Sequence, residues 1–303
     1  MARIITSNRS PDIDGTACIF AYSEFLSKKG IENKIHFSQR PDALSNFALS
    51  FLKVRVRRAP ISQKDEISLV DASQLAGLPK EILPGRVSEI IDHRISRDLS
   101  SFPNAKIQTE LVGAAATLIA EKFFQEDIPV SRESAVLLYS AIVVNTVNFR
   151  AKVTTGRDVA MSRRLLKLAR LPKNYLKLLF HASEKFPTSL KKTLDEEFAC
   201  QEFSCGKVGI VQLETADGEK FVRKNRSLLS RELPKLFARK GVSIGFLSCL
   251  DLENGRNVFL AKTPLSKKFI AETIGKTRFS GEIGTRTPPI MRKEIWRLLL
   301  AKS

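Results

Sequence analysis

The sequence predicts an α/β protein: a parallel-sheet domain in the first half of the chain and a smaller α/β domain in the second, with the active site in the cleft between them. Three observations predict it. Short, β-branched apolar runs alternate with helical stretches from the start of the chain. Carboxylates and one imidazole follow those runs, where open parallel sheets place their ligands, outside the carboxyl ends of the strands. A length of 303 residues is also long for a single core, so two domains are expected.

Ala2 to Thr6 is a short buried strand, followed by a helix from Gly15 to Lys29 that Gly30 closes as a C-cap. Lys34 to Ser38 is a second strand, Ala43 to Leu52 a helix, Ile67 to Val70 a third strand and Val87 to Ile91 a fourth. Strands separated by helices pair in parallel through right-handed crossovers. The small apolar run from Gly113 to Ala120 and the run from Ser134 to Val144 are two tightly packing helices that close this domain. Basic helices follow through Arg163, Arg164, Lys167, Arg170 and Lys177. The polar stretch 184–192, which holds Pro187, Thr188 and Ser189, is read as the linker between a domain of residues 1–183 and one of residues 193–303. In the latter, Gly206 to Leu213, Gly241 to Leu250 and Arg256 to Ala261 are strands around a basic helix, and Met291 to Ala301 is the closing helix.

A hydrophobic content of 43% with 27% charged residues is enough for two cores. The net charge of +18, from 50 Lys and Arg against 32 Asp and Glu, concentrates polyanions near the surface. Polyphosphate, nucleotides and nucleic acid all fit as partners, and a solvated basic face accounts for the charge equally well. Cys18, Cys200, Cys205 and Cys249 lack the paired spacing of a zinc site, so reduced thiols in a cytoplasmic protein are expected. Asp12 and Asp14 interrupt the apolar stretch in residues 1–20, and no other run approaches membrane-spanning length. The expected protein is soluble and makes no membrane contact.

Four segments carry the chemistry: Asn8 to Asp14, Leu69-Val70-Asp71, Ile91-Asp92-His93-Arg94 and Val144-Asn145-Thr146. Oxygen and imidazole ligands at the edge of a parallel sheet suit Mg²⁺, Mn²⁺ and similar cations, which activate water against phosphoryl groups. Asp12 and Asp14 are expected on one side of an extended or tightly turned segment, and Asp71 between two cations. The bland alternative for Pro11-Asp12-Ile13-Asp14 is a turn with helix-capping carboxylates. His93 is expected as a ligand whose ring Asp92 orients, and Arg94 as a fork for phosphate oxygens. His36 and His181 lack such neighbours and are read as structural.

The order of these segments, with Val112-Gly113-Ala114-Ala115-Ala116-Thr117-Leu118, Asn148-Phe149 and Thr154-Thr155-Gly156-Arg157-Asp158, resembles the DHH phosphoesterase superfamily. Within it the chain is similar to the branch of family II inorganic pyrophosphatases, exopolyphosphatases and prune proteins. The stretches Val208 to Thr215 and Thr287-Pro288-Pro289-Ile290 extend the resemblance into that branch's C-terminal domain. The resemblance implies Asp12 on a first metal, Asp14 and His93 on a second, and Asp71 bridging both, with Asp71, Asp92, His93 and Arg94 as the catalytic set. Asn8 and Asn145 stand where pyrophosphatases place His and Asp ligands, and Arg94 where the signature has its second His. A weaker metal pair, or occupancy by a single metal, follows. Arg94, Arg150 and Arg286 are the implied substrate contacts. The implied cofactor is a divalent cation, Mn²⁺ first, with Mg²⁺ or Co²⁺ as alternatives, and the implied activity is hydrolysis of polyphosphate, pyrophosphate or a nucleotide-type ester by a monomer or homodimer. Asn8, Asn148-Phe149 and the basic charge favour exopolyphosphatase over pyrophosphatase. The alternative is a catalytically weak or inactive protein that binds such polyanions.

Overall fold

Asp12 decides where the first helix begins. In the computed structural model, which describes residues 2–55, 59–62, 64–94, 98–185 and 189–300, β1 (Arg3–Thr6) leads into α1 (Ile13–Lys28), and Asp12 is the N-cap of that helix. The helix therefore starts two residues before Gly15, because a capping carboxylate and not the apolar pattern sets its end. Gly30 follows it with φ +73°, the left-handed turn expected of a helix stop.

The chain then alternates through β2 (Asn33–Ile35), α2 (Ala43–Phe51), β3 (Glu66–Val70), β4 (Val87–Asp92) and β5 (Lys106–Thr109) before α3 (Ala115–Gln125), α4 (Arg132–Asn145), α5 (Gly156–Ala169) and α6 (Tyr175–Ala182). The five strands form one parallel sheet in the order β2-β1-β3-β4-β5. β5 was not foreseen from the sequence. It is an edge strand whose first two residues are exposed and which carries Lys106, so it lacks the apolar alternation that marks the other strands. Between β1 and β3 the strand order reverses, which opens a crevice at their carboxyl ends. α4 is buried from Ser134 through Val144, which accounts for its unbroken apolar run.

By packing, residues 1–146 and 153–179 form one unit, and residues 147–152 and 180–303 a second. The boundary thus falls near residue 180 and not at 184–192. Residues 186–188 of the expected linker lie outside the described residues, and Ser189 caps α7 (Leu190–Glu196).

The second unit continues with β6 (Phe198–Phe203), β7 (Gly206–Thr215), α8 (Gly218–Lys224), α9 (Arg226–Arg239), β8 (Ile244–Asp251), β9 (Arg256–Leu260), α10 (Pro264–Phe269), β10 (Thr277–Ser280), β11 (Ile283–Arg286) and α11 (Arg292–Leu300). Its mixed sheet runs β10-β11-β9-β8-β7-β6, with β7 and β8 the parallel pair. The strand period of two separates its cores. Val211, Leu213, Leu247, Cys249, Val258 and Leu260 pack with α8 and α9 residues, whereas Val208, Ile210, Ile244, Phe246 and Phe259 pack with Phe269, Ile295 and Leu299. Among the described residues, no helix is long and apolar enough to cross a membrane.

Candidate metal centre

The carboxyl ends of β1, β3 and β4 bring the acidic segments together with the start of α3. Asp14, in the first turn of α1, is fully buried. Its Oδ2 accepts from the Ala115 N–H and its Oδ1 from the Ala116 N–H, both at 2.8 Å. Ala114, the N-cap residue of α3, offers no side-chain cap, so a carboxylate about a hundred residues away satisfies the orphan donors of that helix and meets its positive dipole end. Asn145 Nδ2 adds a third bond to Asp14 Oδ2 at 2.7 Å.

Asp71 lies just beyond β3 with φ +51° and is 2% exposed. Its N–H donates to the Ile91 carbonyl at 2.8 Å, which fixes this turn against β4. His93, one residue past the end of β4, directs Nδ1 at the Val112 carbonyl, 3.0 Å away. A carbonyl only accepts, so Nδ1 carries the proton and Nε2 faces the carboxylates, 3.5 Å from Asp71 Oδ1 and 3.9 Å from Asp14 Oδ2.

Asp14, Asp71 and His93, all buried, each offer a ligand atom within 4.8 Å of one another. Two carboxylates converging on an imidazole nitrogen is a donor set that fits one divalent cation of the Mn²⁺ type. Among the described residues this is the one such cluster of three or more His, Cys, Asp or Glu side chains, and neither Cys200 nor Cys205 joins one.

Several expected roles fall differently. Asp12 and Asp14 do not share a side: Asp12 is exposed, and its Oδ1 accepts the Asp14 and Gly15 N–H groups at 3.0 Å, the capping role that was the bland alternative. Asp92 does not orient the His93 ring, because the Val112 carbonyl takes the Nδ1 side of that ring. Its Oδ1 takes the His93 N–H at 2.7 Å, its Oδ2 takes the Ser73 hydroxyl at 2.5 Å, and the Val112 carbonyl sets the ring. Arg94 turns inward, with Nη2 on Asp71 Oδ1 at 2.6 Å and on the Asp71 carbonyl at 2.5 Å and with Nε on Asp92 Oδ1 at 3.1 Å. Asn8 Nδ2 donates to the Asp71 carbonyl at 3.0 Å. Asn145 ends α4 and is not at a strand edge.

The two remaining arginines lie in the second unit. Arg150 donates to the Asn254 carbonyl, against Gly255, where a side-chain carbon would collide with the Arg150 stem. Arg286 is 4% exposed and donates to the Gly275 and Pro288 carbonyls, so its fork braces a turn and does not reach out as a clamp. His36 and His181 have structural partners, His36 in Ala59 and Ser38 and His181 in Glu253.

The loop before α3 was missed as part of the site. Asp158, the third residue of α5, places both carboxylate oxygens on the Gly113 N–H at 3.0 and 2.9 Å and one on the Thr117 hydroxyl at 2.6 Å, and it closes a capping box with Thr155. Arg157 pairs with Glu110 and Glu121 on either side. These bonds fix the Val112 carbonyl and the Ala115 and Ala116 N–H groups on which His93 and Asp14 depend. The signal in sequence was the Thr-x-x-Asp capping box, whose second use at Gly113 is visible only in three dimensions.

Burial, then the nearby Asp12 charge, push the Asp14 carboxyl up from 3.8 to about 7, against the pull of the Ala116 and Ala115 N–H groups and Arg94. Burial also holds Asp71 well above the usual carboxylate range, opposed chiefly by Arg94. Between the unfolded and folded values of Asp14 the folded, metal-free protein binds the extra proton, so its stability falls as pH rises through that window. A cation requires the ionised carboxylate, so the sign for binding is opposite. Because Asp71 must lose its proton as well, apparent Mn²⁺ affinity is expected to rise with pH by about tenfold per unit or more until both carboxylates are ionised and then to level off, as calorimetric titrations across that range would record.

Asn145→Asp sets a carboxylate against Asp14 where an amide now donates. Mn²⁺ affinity is expected to rise roughly tenfold, since a charged oxygen ligand replaces a neutral one. The metal-free variant should melt below the wild type, because two buried carboxylates then face each other. A scan of melting temperature with and without Mn²⁺ reads both effects.

A doubly wound parallel sheet with an acid-imidazole centre at its switch point, joined to a unit built on a mixed sheet, defines a two-domain α/β protein of the metal-dependent type. No family model matches the chain. It is 31% identical over 240 residues to a probable manganese-dependent inorganic pyrophosphatase of Clostridium acetobutylicum, covering 75% of this chain and 74% of that one. The manganese-dependent inorganic pyrophosphatase of Bacillus subtilis is 26% identical over 272 residues, 85% of each chain. The structure of a putative family II inorganic pyrophosphatase from Methanococcus jannaschii shares the fold with a TM-score of 0.72 at 20% identity, covering 98% of this chain and 99% of that one. An exopolyphosphatase-related protein from Bacteroides fragilis shares it more distantly, with a TM-score of 0.52 at 12% identity over 99% of this chain and 91% of that one. The chain belongs to the family of manganese-dependent, family II inorganic pyrophosphatases.

Proposed function

We propose that this protein is a divalent-metal phosphohydrolase that cleaves phosphoanhydride bonds, with pyrophosphate as first substrate and short polyphosphate as second. The observation that carries this is the buried convergence of Asp14, Asp71 and His93 at the sheet's switch point in a chain of this family. Manganese-dependent relatives support Mn²⁺ as the cation, and a cobalt-dependent pyrophosphatase of Clostridium perfringens, 29% identical over 163 residues, supports Co²⁺ as an alternative. The names of the relatives support pyrophosphate as first substrate, whereas Asn8 and the basic charge favour the longer polyphosphate.

Asp14, Asp71 and His93 would hold the cation, and a bound cation supplies Lewis acidity toward phosphoryl oxygen and water. The Val112 carbonyl keeps the His93 proton on Nδ1, so that Nε2 stays a ligand. Arg94, its side chain 32% exposed, presents a cationic edge to an arriving anion while it stays anchored on Asp71 and Asp92. The four cysteines are free thiols, which fits a cytoplasmic location.

A second reading, polyanion binding without turnover, is favoured by the inward seat of Arg94 and by Asn8 and Asn145 at ligand positions. One assay separates the two: phosphate release from pyrophosphate and from polyphosphate with Mn²⁺, Co²⁺ or Mg²⁺. Release well above the metal-free blank supports hydrolysis. Binding with no release on any substrate supports the second reading.

A further inference from the structure

In the second unit, a depression of about 430 Å³ is lined by Asp217, Glu219, Lys220, Arg223 and Lys224, from α8 and its cap, and by Arg256 at the start of β9. It lies outside the carboxyl ends of β7 and β8, the parallel pair of this sheet, which is the side on which such strands place ligands. Lys220, Arg223 and Lys224 are three and four residues apart, so they share one side of α8. Arg256 is anchored from below: its Nε donates to Asp251 Oδ2 at 3.2 Å, and Asp251 is fully buried, with its other bonds taken by Asn254. Its Nη2 lies 3.4 Å from Glu219 Oε2, and among the described residues no acceptor meets Nη1.

Both acids of the lining are engaged within it. Asp217 Oδ1 accepts the Lys220 N–H at 3.1 Å, and Glu219 takes Arg223 on Oε1 at 2.7 Å and Arg256 on Oε2. Four cations face these two acids, and among the described residues neither Lys220 nor Lys224 meets a carboxylate. The double positive excess attracts an anion. Every lining residue is charged, so a nucleobase would find no ring to stack on. The volume exceeds that of one phosphate and lies in the range of small-molecule sites, about 300–1,000 Å³. A short chain of phosphoryl groups meets both conditions, because it is polar throughout and offers successive charged oxygens to separate cations.

We propose that this depression is a second anion site of the protein, for a short inorganic polyphosphate of the size of tripolyphosphate, with Arg256 as the fixed fork and Lys220 and Lys224 as the ammonium groups that close on the chain. Asp251 holds the Arg256 guanidinium in place before the ligand arrives, so little freedom is lost there on binding. The two lysines supply charge on flexible stems and adapt to the length of the chain. The site lies wholly within the second unit and needs no metal, so it stands apart from the hydrolase reading.

The test is binding without metal. Metal-stripped full-length protein is titrated calorimetrically with tripolyphosphate, orthophosphate and ATP; in that state the buried acids of the metal centre repel anions and add no site of their own. One tripolyphosphate per chain is expected, with orthophosphate at least about tenfold weaker and ATP no tighter than tripolyphosphate. Replacing both exposed lysines, Lys220→Gln with Lys224→Gln, should leave the melting temperature at the wild-type value and weaken tripolyphosphate about tenfold or more. Arg163→Gln with Lys167→Gln removes the same charge from the exposed side of α5 and should change affinity by less than about twofold. Equal losses in the two pairs would reduce the binding to diffuse attraction by the net charge and overturn the proposal, as would wild-type affinity in the α8 pair or no uptake of tripolyphosphate by the wild type. Orthophosphate bound as tightly as tripolyphosphate would overturn the chain as ligand, and ATP bound more tightly would overturn its inorganic nature. A protein that binds tripolyphosphate as expected but releases no phosphate with Mn²⁺ would sink the hydrolase reading and leave this one standing.

Discussion

Asp71→Asn is expected to lower Mn²⁺-dependent phosphate release by roughly a hundredfold or more, since even the outer partners of metal ligands are worth about 10- to 100-fold. Asn is the informative substitution. Asp71 sits at φ +51°, a left-handed conformation that Asn adopts readily and Ala does not, so Asp71→Ala would mix backbone strain with the loss of the ligand. The N–H bond to Ile91 survives the change, and Arg94 retains an oxygen acceptor. What goes is a negative charge between His93 and Arg94. Burial disfavours that charge in the metal-free protein, so the variant's melting temperature without metal should stay close to wild type. The stabilisation that Mn²⁺ gives should largely disappear. A variant that melts as wild type yet turns over at the wild-type rate would remove Asp71 from the reaction.

Asp158→Ala is expected to give the largest loss of stability, about 3 kcal/mol or more, because it strips a buried acceptor from several donors at once. The Gly113 N–H, the Thr117 hydroxyl and the Thr155 N–H and hydroxyl all bond to it. Urea unfolding should show a lower midpoint at unchanged slope. Metal affinity should fall as well, although Asp158 touches none of the three candidate ligands, because the loop it anchors carries the Val112 carbonyl and the start of α3. A variant that loses stability but keeps wild-type Mn²⁺ affinity would show that the loop holds its place without Asp158.

The parallel sheet was legible because β1, β3 and β4 are short buried strands rich in Ile and Val, and the centre because its acids follow those strands. β5 was not legible, since an edge strand with Lys106 and Gln108 carries little apolar signal. Within the site, identity was readable but direction was not. The sequence placed Asp12 and Asp14 two residues apart, yet a helix start between them sends one to solvent and the other inward. It placed Asp92 beside His93, yet Asp92 takes the His93 backbone N–H and the ring finds its partner in Val112 on another segment. Arg94 was expected to face a phosphate, and its inward turn depends on two carboxylates whose convergence only the fold creates. The boundary near residue 180 was hidden for a related reason: a polar stretch marks exposure, whereas packing decides which unit a segment joins.

The cap that Asp14 lends to α3 also sets when the centre can exist. Asp14 meets its partners at Ala115, Ala116 and Asn145, so the pocket spans 131 residues of chain and has no local precursor. During synthesis, Asp12, Asp14 and Asp71 leave the ribosome as ordinary solvated acids, and only after α4 has emerged does a site with two converging carboxylates and a fixed imidazole appear. Loading with metal therefore follows folding of the first unit, and an incomplete chain has no means of trapping the ion.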